Sequence, residues 1–138
     1  MKTNKLVLAS IWMLLSLILT ACNPAIAAPS ASLNVELSEF KFSPTTMAVF
    51  AGKETTLNLT NNGAVKHDLV ILKQGVEARA PFHIEDHQQD ILLRAELDPG
   101  KSTSVQFIFP QQGQYNVICT IPGHMEAGMV ATLRAVKP

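Results

Sequence analysis

A short segment near the C-terminus contains three kinds of metal-binding side chain. Cys119, His124 and Met129 follow one another at Cys-x4-His-x4-Met spacing. Thiolate and thioether are soft donors and imidazole is intermediate, a set that suits copper in both oxidation states. One more imidazole would complete a trigonal His2Cys plane with a weak axial Met. His67 is placed to supply it, because it follows the turn at 61–63 and begins a strongly apolar stretch.

Each of these residues also has an ordinary structural interpretation. Cys119 can be a buried core thiol, Met129 can fill the core, and the histidines can lie at a strand end or in a loop. The cysteine count favours the metal site. The chain has two cysteines, and Cys22 lies at the end of an export signal. Exported proteins usually pair their cysteines, so an unpaired Cys119 in an exported domain needs a reason.

The N-terminus is typical of a secretory signal. Lys2 and Lys5 precede an apolar run over 6–19 that is too short for a membrane span. Leu-Thr-Ala-Cys, ending at Cys22, has the form of a bacterial lipobox, which predicts lipidation of Cys22. The alternative is ordinary cleavage near Ala27, which removes Cys22. The predicted organisation is a signal peptide over 1–21, a tether over 22–32 and one domain over 33–138.

Composition excludes one class of partner. The chain has 11 basic and 11 acidic residues, and removal of Lys2 and Lys5 leaves a mature net charge of about −2. There is no basic stripe, so we expect no nucleic-acid partner. We expect an exported monomer in the periplasm or on the outer face of a bacterial membrane, anchored by lipid on Cys22.

The elements that must position the metal-binding residues are strands. Period-2 alternation of apolar residues, punctuated by Gly, Pro and Asn, predicts an all-β fold: an antiparallel Greek-key β-sandwich of about eight strands. The charged stretch 73–90 lacks this alternation and is predicted to leave the sheet, with short helical turns near 84–91. His83 and His87 are four residues apart there, which is compatible with a solvated helix face or with a second metal site.

Together these motifs resemble the cupredoxins, the blue type 1 copper family that includes plastocyanin, azurin and auracyanin. The resemblance covers most of the mature domain, and the four-and-four spacing is most similar to auracyanin and rusticyanin. Its motifs are Phe42-x-Pro44, Ala51-Gly52-Lys53, Asn61-Asn62-Gly63 before His67-Asp68, Pro99-Gly100-Lys101-Ser102 and the segment from Cys119 to Met129.

The resemblance implies one copper ion (Cu2+/Cu+) with three strong ligands and one axial ligand. Many relatives carry Asn after the first His, and here Asp68 stands in that position. We predict that Asp68 accepts hydrogen bonds from Thr120 and joins the two ligand loops. The implied metal ligands are His67, Cys119, His124 and Met129. The implied docking patch for redox partners around His124 consists of Gly63, Ala64, Ile121, Pro122 and Met125.

The ligand set implies an electron carrier and not an enzyme, because no coordination position remains open for a substrate. We therefore expect single-electron transport between redox proteins by Cu(II)/Cu(I) cycling. An extracytoplasmic copper carrier or homeostasis protein could use the same ligands. A metal-free β-sandwich interaction module is the third interpretation, and it leaves the unpaired Cys119 unexplained.

Overall fold

The computed structural model describes residues 27–138, in which nine strands are joined by turns and by two longer segments, 73–90 and 119–129. In β4 the burial of side chains alternates residue by residue, as the apolar pattern predicts. The strands are β1 (Ser32–Ser38), β2 (Lys41–Ser43), β3 (Thr46–Phe50), β4 (Glu54–Asn61), β5 (His67–Leu72), β6 (Ile91–Leu97), β7 (Ser102–Ile108), β8 (Gly113–Ile118) and β9 (Val130–Val136).

Two sheets enclose the main core. The first sheet has the strand order β2-β1-β4-β7, and the second has the order β3-β9-β8-β5-β6. Side chains from both sheets, such as Leu37 and Leu57 from the first and Leu69 and Leu133 from the second, belong to one buried cluster. The predicted β-sandwich is confirmed. It is mixed and not purely antiparallel, because β1 pairs with β4 and β3 with β9 in parallel.

Strand β5 lies in the interior of its sheet and brings two predicted site residues to one end. All six of its residues are buried, which explains its continuous apolar run. It pairs antiparallel with β8, with Val70 opposite Ile118. The start of β5 therefore lies beside the end of β8, so His67 and Cys119 meet at the same edge of the sandwich.

The predicted excursion between β5 and β6 contains two 3₁₀ turns, Ile84–Asp86 and Gln88–Asp90. It covers a second, smaller core cluster that includes Phe82 and Met125. The short helical turns predicted near 84–91 are confirmed, but they are two separate 3₁₀ turns, so His83 and His87 do not lie on one continuous helix face. The His87 ring stacks on Phe82 with centroids 4.5 Å apart, and its Nδ1 lies 3.0 Å from a carboxylate oxygen of Asp90.

Most of the predictions for the N-terminus concern residues before Ala27, which the structure does not describe. The signal peptide, Cys22 and the first part of the predicted tether (22–26) lie outside the described residues. Within 27–138 the sandwich begins slightly before the predicted boundary at Leu33, because the Ser30 N–H already donates to the carbonyl of Ala48. No helix in this part of the chain is long and apolar enough to span a membrane.

Candidate metal centre

Three donor side chains converge at the end of the sandwich. One ligand atom each from His67, Cys119 and His124 lies within 4.8 Å of the others, and all three residues are buried. Nδ1 of His67 is 3.1 Å from Nδ1 of His124, and Sγ of Cys119 is 3.4 Å from that same nitrogen. Among residues 27–138 this is the only such group, so His83 and His87 form no comparable second site.

The loop after β8 holds the fourth predicted ligand beside the other three. The Met129 N–H donates to the carbonyl of His124 at 2.9 Å, and the Met129 carbonyl accepts from the Cys119 N–H at 3.2 Å. Met129 is fully buried in the same cluster as Cys119. The loop is thus closed on itself by backbone hydrogen bonds, and it brings Cys119, His124 and Met129 to one place.

Burial favours the uncharged forms of Cys119 and His67, as the directions of their pKa shifts show. Burial raises the pKa of the Cys119 thiol to about 12. Burial also lowers the pKa of His67, and the neighbouring His124 lowers it further. Nε2 of His67 is buried without a hydrogen-bond partner among the described residues. A single metal ion can therefore bind the Nδ1 atoms of His67 and His124 and the sulfur of Cys119, once it displaces the thiol proton.

The donor set fits one copper ion. Two imidazoles, a thiolate and a thioether are the donor types of a type 1 copper site; the structure brings the first three within 4.8 Å of one another, and Met129 would supply the thioether. The side chains are already assembled by the strands and the closed loop, so the site requires no rearrangement of the fold to receive the ion.

A fully buried carboxylate joins the two segments that carry the ligands. Asp68 accepts hydrogen bonds from the backbone N–H of Thr120, at 2.6 Å, and from its hydroxyl. The hydrogen bonds predicted from the sequence are therefore present. Arg94 of β6 adds an ion pair, with Nε 3.2 Å from Asp68, and its guanidinium also contacts Glu96, which in turn binds Lys66.

Asn61 organises the loop before His67, a role that the sequence analysis did not assign. Its buried amide donates to the carbonyls of Val65 and Leu97, and its oxygen accepts from the Gly63 N–H. Since all of these bonds are internal, Asn61 fixes the path of the chain into β5. The Asn-Asn-Gly turn was visible in the sequence, but the long-range contact with Leu97 was not.

The surface around His124 differs from the predicted docking patch. The prediction that Met125 lies on the surface is wrong. The segment between β5 and β6 covers Met125, which packs in the cluster with Phe82. Ile121 is partly buried against the main core. Ala64 and Pro122 are exposed as predicted, and Gly63 is partly exposed.

Phe40 is an aromatic residue of this surface that the sequence analysis missed. It is 49% exposed, and its ring contacts His124 edge-on with centroids 5.4 Å apart. Val65, 46% exposed, belongs to the adjoining loop. Its φ of 59° puts it in the turn between β1 and β2.

Comparison with known proteins agrees with a copper site: the chain matches a cupredoxin-like family model and named copper proteins. The family model for the Cupredoxin-like domain matches residues 8–131. Auracyanin-A of Chloroflexus aurantiacus is 32% identical over 100 residues, covering 62% of each chain. The copper-resistant cuproprotein CopI of Rubrivivax gelatinosus is 29% identical over 96 residues, covering 65% of this chain and 56% of that relative. The matched region thus spans less than two thirds of either relative.

A solved structure shows the same fold. Reduced auracyanin from Roseiflexus castenholzii superposes with a TM-score of 0.69 at 24% identity, covering 79% of this chain and 99% of that one.

Proposed function

This chain belongs to the cupredoxin-like family, and from that we propose that it carries single electrons between redox proteins outside the cytoplasm. The principal support is the convergence of His67, Cys119 and His124, buried and within 4.8 Å of one another, beside Met129. The cofactor is one copper ion, which when bound supplies one-electron chemistry by alternating between Cu(II) and Cu(I).

The protein residues provide three things for this function. Strand β5 and the closed loop after β8 hold the donors in one arrangement, which limits the rearrangement that accompanies a change of charge. Burial of His67, Cys119 and Met129 keeps substrates and bulk water away from the site. His124, 8% exposed, is the ligand that reaches the surface and provides the shortest route for an electron.

We place partner docking on the surface around His124. Phe40, Ala64, Val65 and Pro122 are exposed apolar residues from the loops at this end of the sandwich. An apolar surface of this kind suits brief contact with a redox protein whose own docking surface is apolar and weakly charged, since small interfaces give transient complexes.

The test is the visible absorption and EPR spectrum of the full chain after addition of Cu(II), followed by voltammetry. We expect an intense thiolate-to-copper band, narrow copper hyperfine splitting and a reversible one-electron wave. Cys119→Ser should abolish the band, and Cys22→Ser, the matched control, should retain it. A pale, ordinary Cu(II) spectrum would falsify the assignment of the site.

Copper handling is the second candidate function, and the similarity to the copper-resistant cuproprotein CopI favours it. The two functions are separated by kinetics. An electron carrier keeps its copper through many redox cycles, whereas a carrier of the ion transfers Cu(I) to a copper-free acceptor protein at a measurable rate. Measurement of both rates on one preparation decides between them.

We also propose that the chain is a lipoprotein held on the outer side of a bacterial membrane. The support is the lipobox that ends at Cys22, and a multiply acylated terminus gives stable anchoring. Mass spectrometry of the membrane fraction should find acylated Cys22 at the N-terminus. Cleavage after Ala27 and recovery in the soluble fraction would support the alternative signal instead.

A further inference from the structure

His67 has a ring nitrogen that the metal site does not use. Its Nδ1 faces His124, so a metal bound there leaves the ring proton on Nε2. Nε2 is buried and has no hydrogen-bond partner within the described residues. Buried N–H groups are nearly always paired, and a metal-ligating histidine almost always donates its second N–H to a carboxylate, a carbonyl or water.

Gly63 lies between Nε2 of His67 and the carboxylate of Glu39. A Cβ added to Gly63 would lie 2.7 Å from Nε2 of His67, 2.8 Å from Oε1 of Glu39 and 3.2 Å from Oδ1 of Asn61. Nε2 and Oε1 are therefore no farther apart than the sum of the first two distances. The absence of a side chain at Gly63 is what allows the imidazole and the carboxylate to approach each other.

Glu39 is held in this position by the loop that precedes His67. The Ala64 N–H donates to Oε1 of Glu39 and connects the turn after β1 with the loop after β4. A carboxylate oxygen accepts more than one hydrogen bond, so Oε1 can also accept the proton of His67. Asn61 Oδ1 also accepts from the Gly63 N–H, but it is a neutral amide oxygen and therefore the weaker candidate, because a charged carboxylate forms the stronger hydrogen bond.

We propose that Glu39 accepts the Nε2–H of His67 across Gly63 and is the positioning residue that keeps Nδ1 directed into the metal site. This role rests on the proposed function, because the direction of Nδ1 matters when it binds copper. It adds a carboxylate partner for His67 to the contact between Asp68 and Thr120.

The first test needs no copper. A long-range ¹H–¹⁵N correlation spectrum of the copper-free full chain should show a slowly exchanging proton on Nε2 of His67. Glu39→Ala should expose this proton to rapid exchange, and Glu39→Gln should retain it, because an amide oxygen also accepts. Glu36→Ala, an exposed carboxylate of β1, is the control. An unchanged proton in Glu39→Ala, or a proton on Nδ1 in the wild type, would overturn the proposal.

The second test measures Cu(I) affinity in competition with a chelator. Loss of an outer partner of a ligand typically weakens metal binding 10–100-fold, so we expect at least a tenfold loss in Glu39→Ala. Gly63→Ala should lose a similar amount, because its Cβ would separate His67 from Glu39. Its backbone is not in the left-handed region, so steric contact is the cause.

The double variant Gly63→Ala/Glu39→Ala tests whether Gly63→Ala acts by separating His67 from Glu39. If Gly63→Ala acts by separating the pair, adding Glu39→Ala costs little more, and the two effects are not additive. Full additivity would show that Gly63 and Glu39 act independently and would overturn the assignment. A wild-type chain that gives no thiolate-to-copper band would instead contradict the proposed function, while the copper-free spectrum still reports on Glu39.

Discussion

Asp68 places a carboxylate beside the site at a position where many cupredoxins have the neutral side chain of Asn. It is fully buried, hydrogen-bonded to Thr120 and paired with Arg94. A negative charge there favours Cu(II) over Cu(I). A nearby unit charge is worth about 2 kcal/mol at an effective dielectric constant of about 20, and Arg94 offsets part of it.

We therefore expect Asp68→Asn to raise the reduction potential by an amount equivalent to about 1 kcal/mol. Voltammetry of the copper-loaded chain measures the shift. Asp86→Asn, which removes an exposed carboxylate of the excursion, should change the potential far less. No rise in Asp68→Asn, or a fall, would mean that its charge does not act on the copper.

Phe40 carries backbone strain at the edge of the site. It is the one non-glycine residue with positive φ in the region 27–138, and a side chain costs about 1–2 kcal/mol in that conformation. Phe40→Gly should therefore be more stable than Phe40→Ala by about 1 kcal/mol in urea denaturation of the copper-free chain.

Lys41, the next residue, provides the matched control because it lies in β2 with no positive φ. There Gly should be less stable than Ala by about 0.5–1 kcal/mol, since glycine loses more freedom on folding. The same order of Gly and Ala at both positions would contradict the assignment of strain to Phe40.

The residues of the site differ in how far the sequence predicts them. The contact between Asp68 and Thr120 could be predicted through the resemblance to the cupredoxins, many of which carry Asn in the position of Asp68. Phe40 and Glu39 do not follow, because only the turn with positive φ at Phe40 brings this segment close to the histidines. The contribution of Glu39 also depends on the missing side chain of Gly63, a relation that exists only in three dimensions.

At the scale of elements, the excursion has its own small core. Phe82, Met125 and Ile118 belong to a cluster distinct from the one that contains Cys119 and Met129. The prediction of Met125 as a surface residue was wrong because the sequence shows the loop after Cys119 but not the distant segment that folds over it.

We expect Phe82→Ala to loosen the excursion without changing the copper site. Truncation of a buried Phe typically costs about 3–5 kcal/mol, and the effect should appear as faster amide exchange over 76–91. The thiolate-to-copper band should keep its position. Phe42→Ala in the main cluster should instead destabilise the whole sandwich. A displaced band in Phe82→Ala would mean that the excursion helps to position His124.

At the scale of the whole molecule, strand patterning and turn residues were sufficient to predict a β-sandwich and the end at which the site lies. They were not sufficient for the parallel pairing of β1 with β4 and of β3 with β9. Alternation specifies which face of a strand is buried, whereas the direction of a neighbouring strand depends on connections that cross between sheets.

The preassembled donors predict how copper affects stability. An ion that binds the folded state alone stabilises it by about 4 kcal/mol when its free concentration is 1,000 times the dissociation constant. Because the donors already lie within 4.8 Å, copper removal should lower the unfolding temperature and leave the far-UV circular dichroism unchanged. Cys119→Ser should lose most of the copper-dependent increase, and Cys22→Ser should keep it. A copper-free chain without β structure would show instead that the ion assembles the fold, as in small domains that are unfolded without their metal.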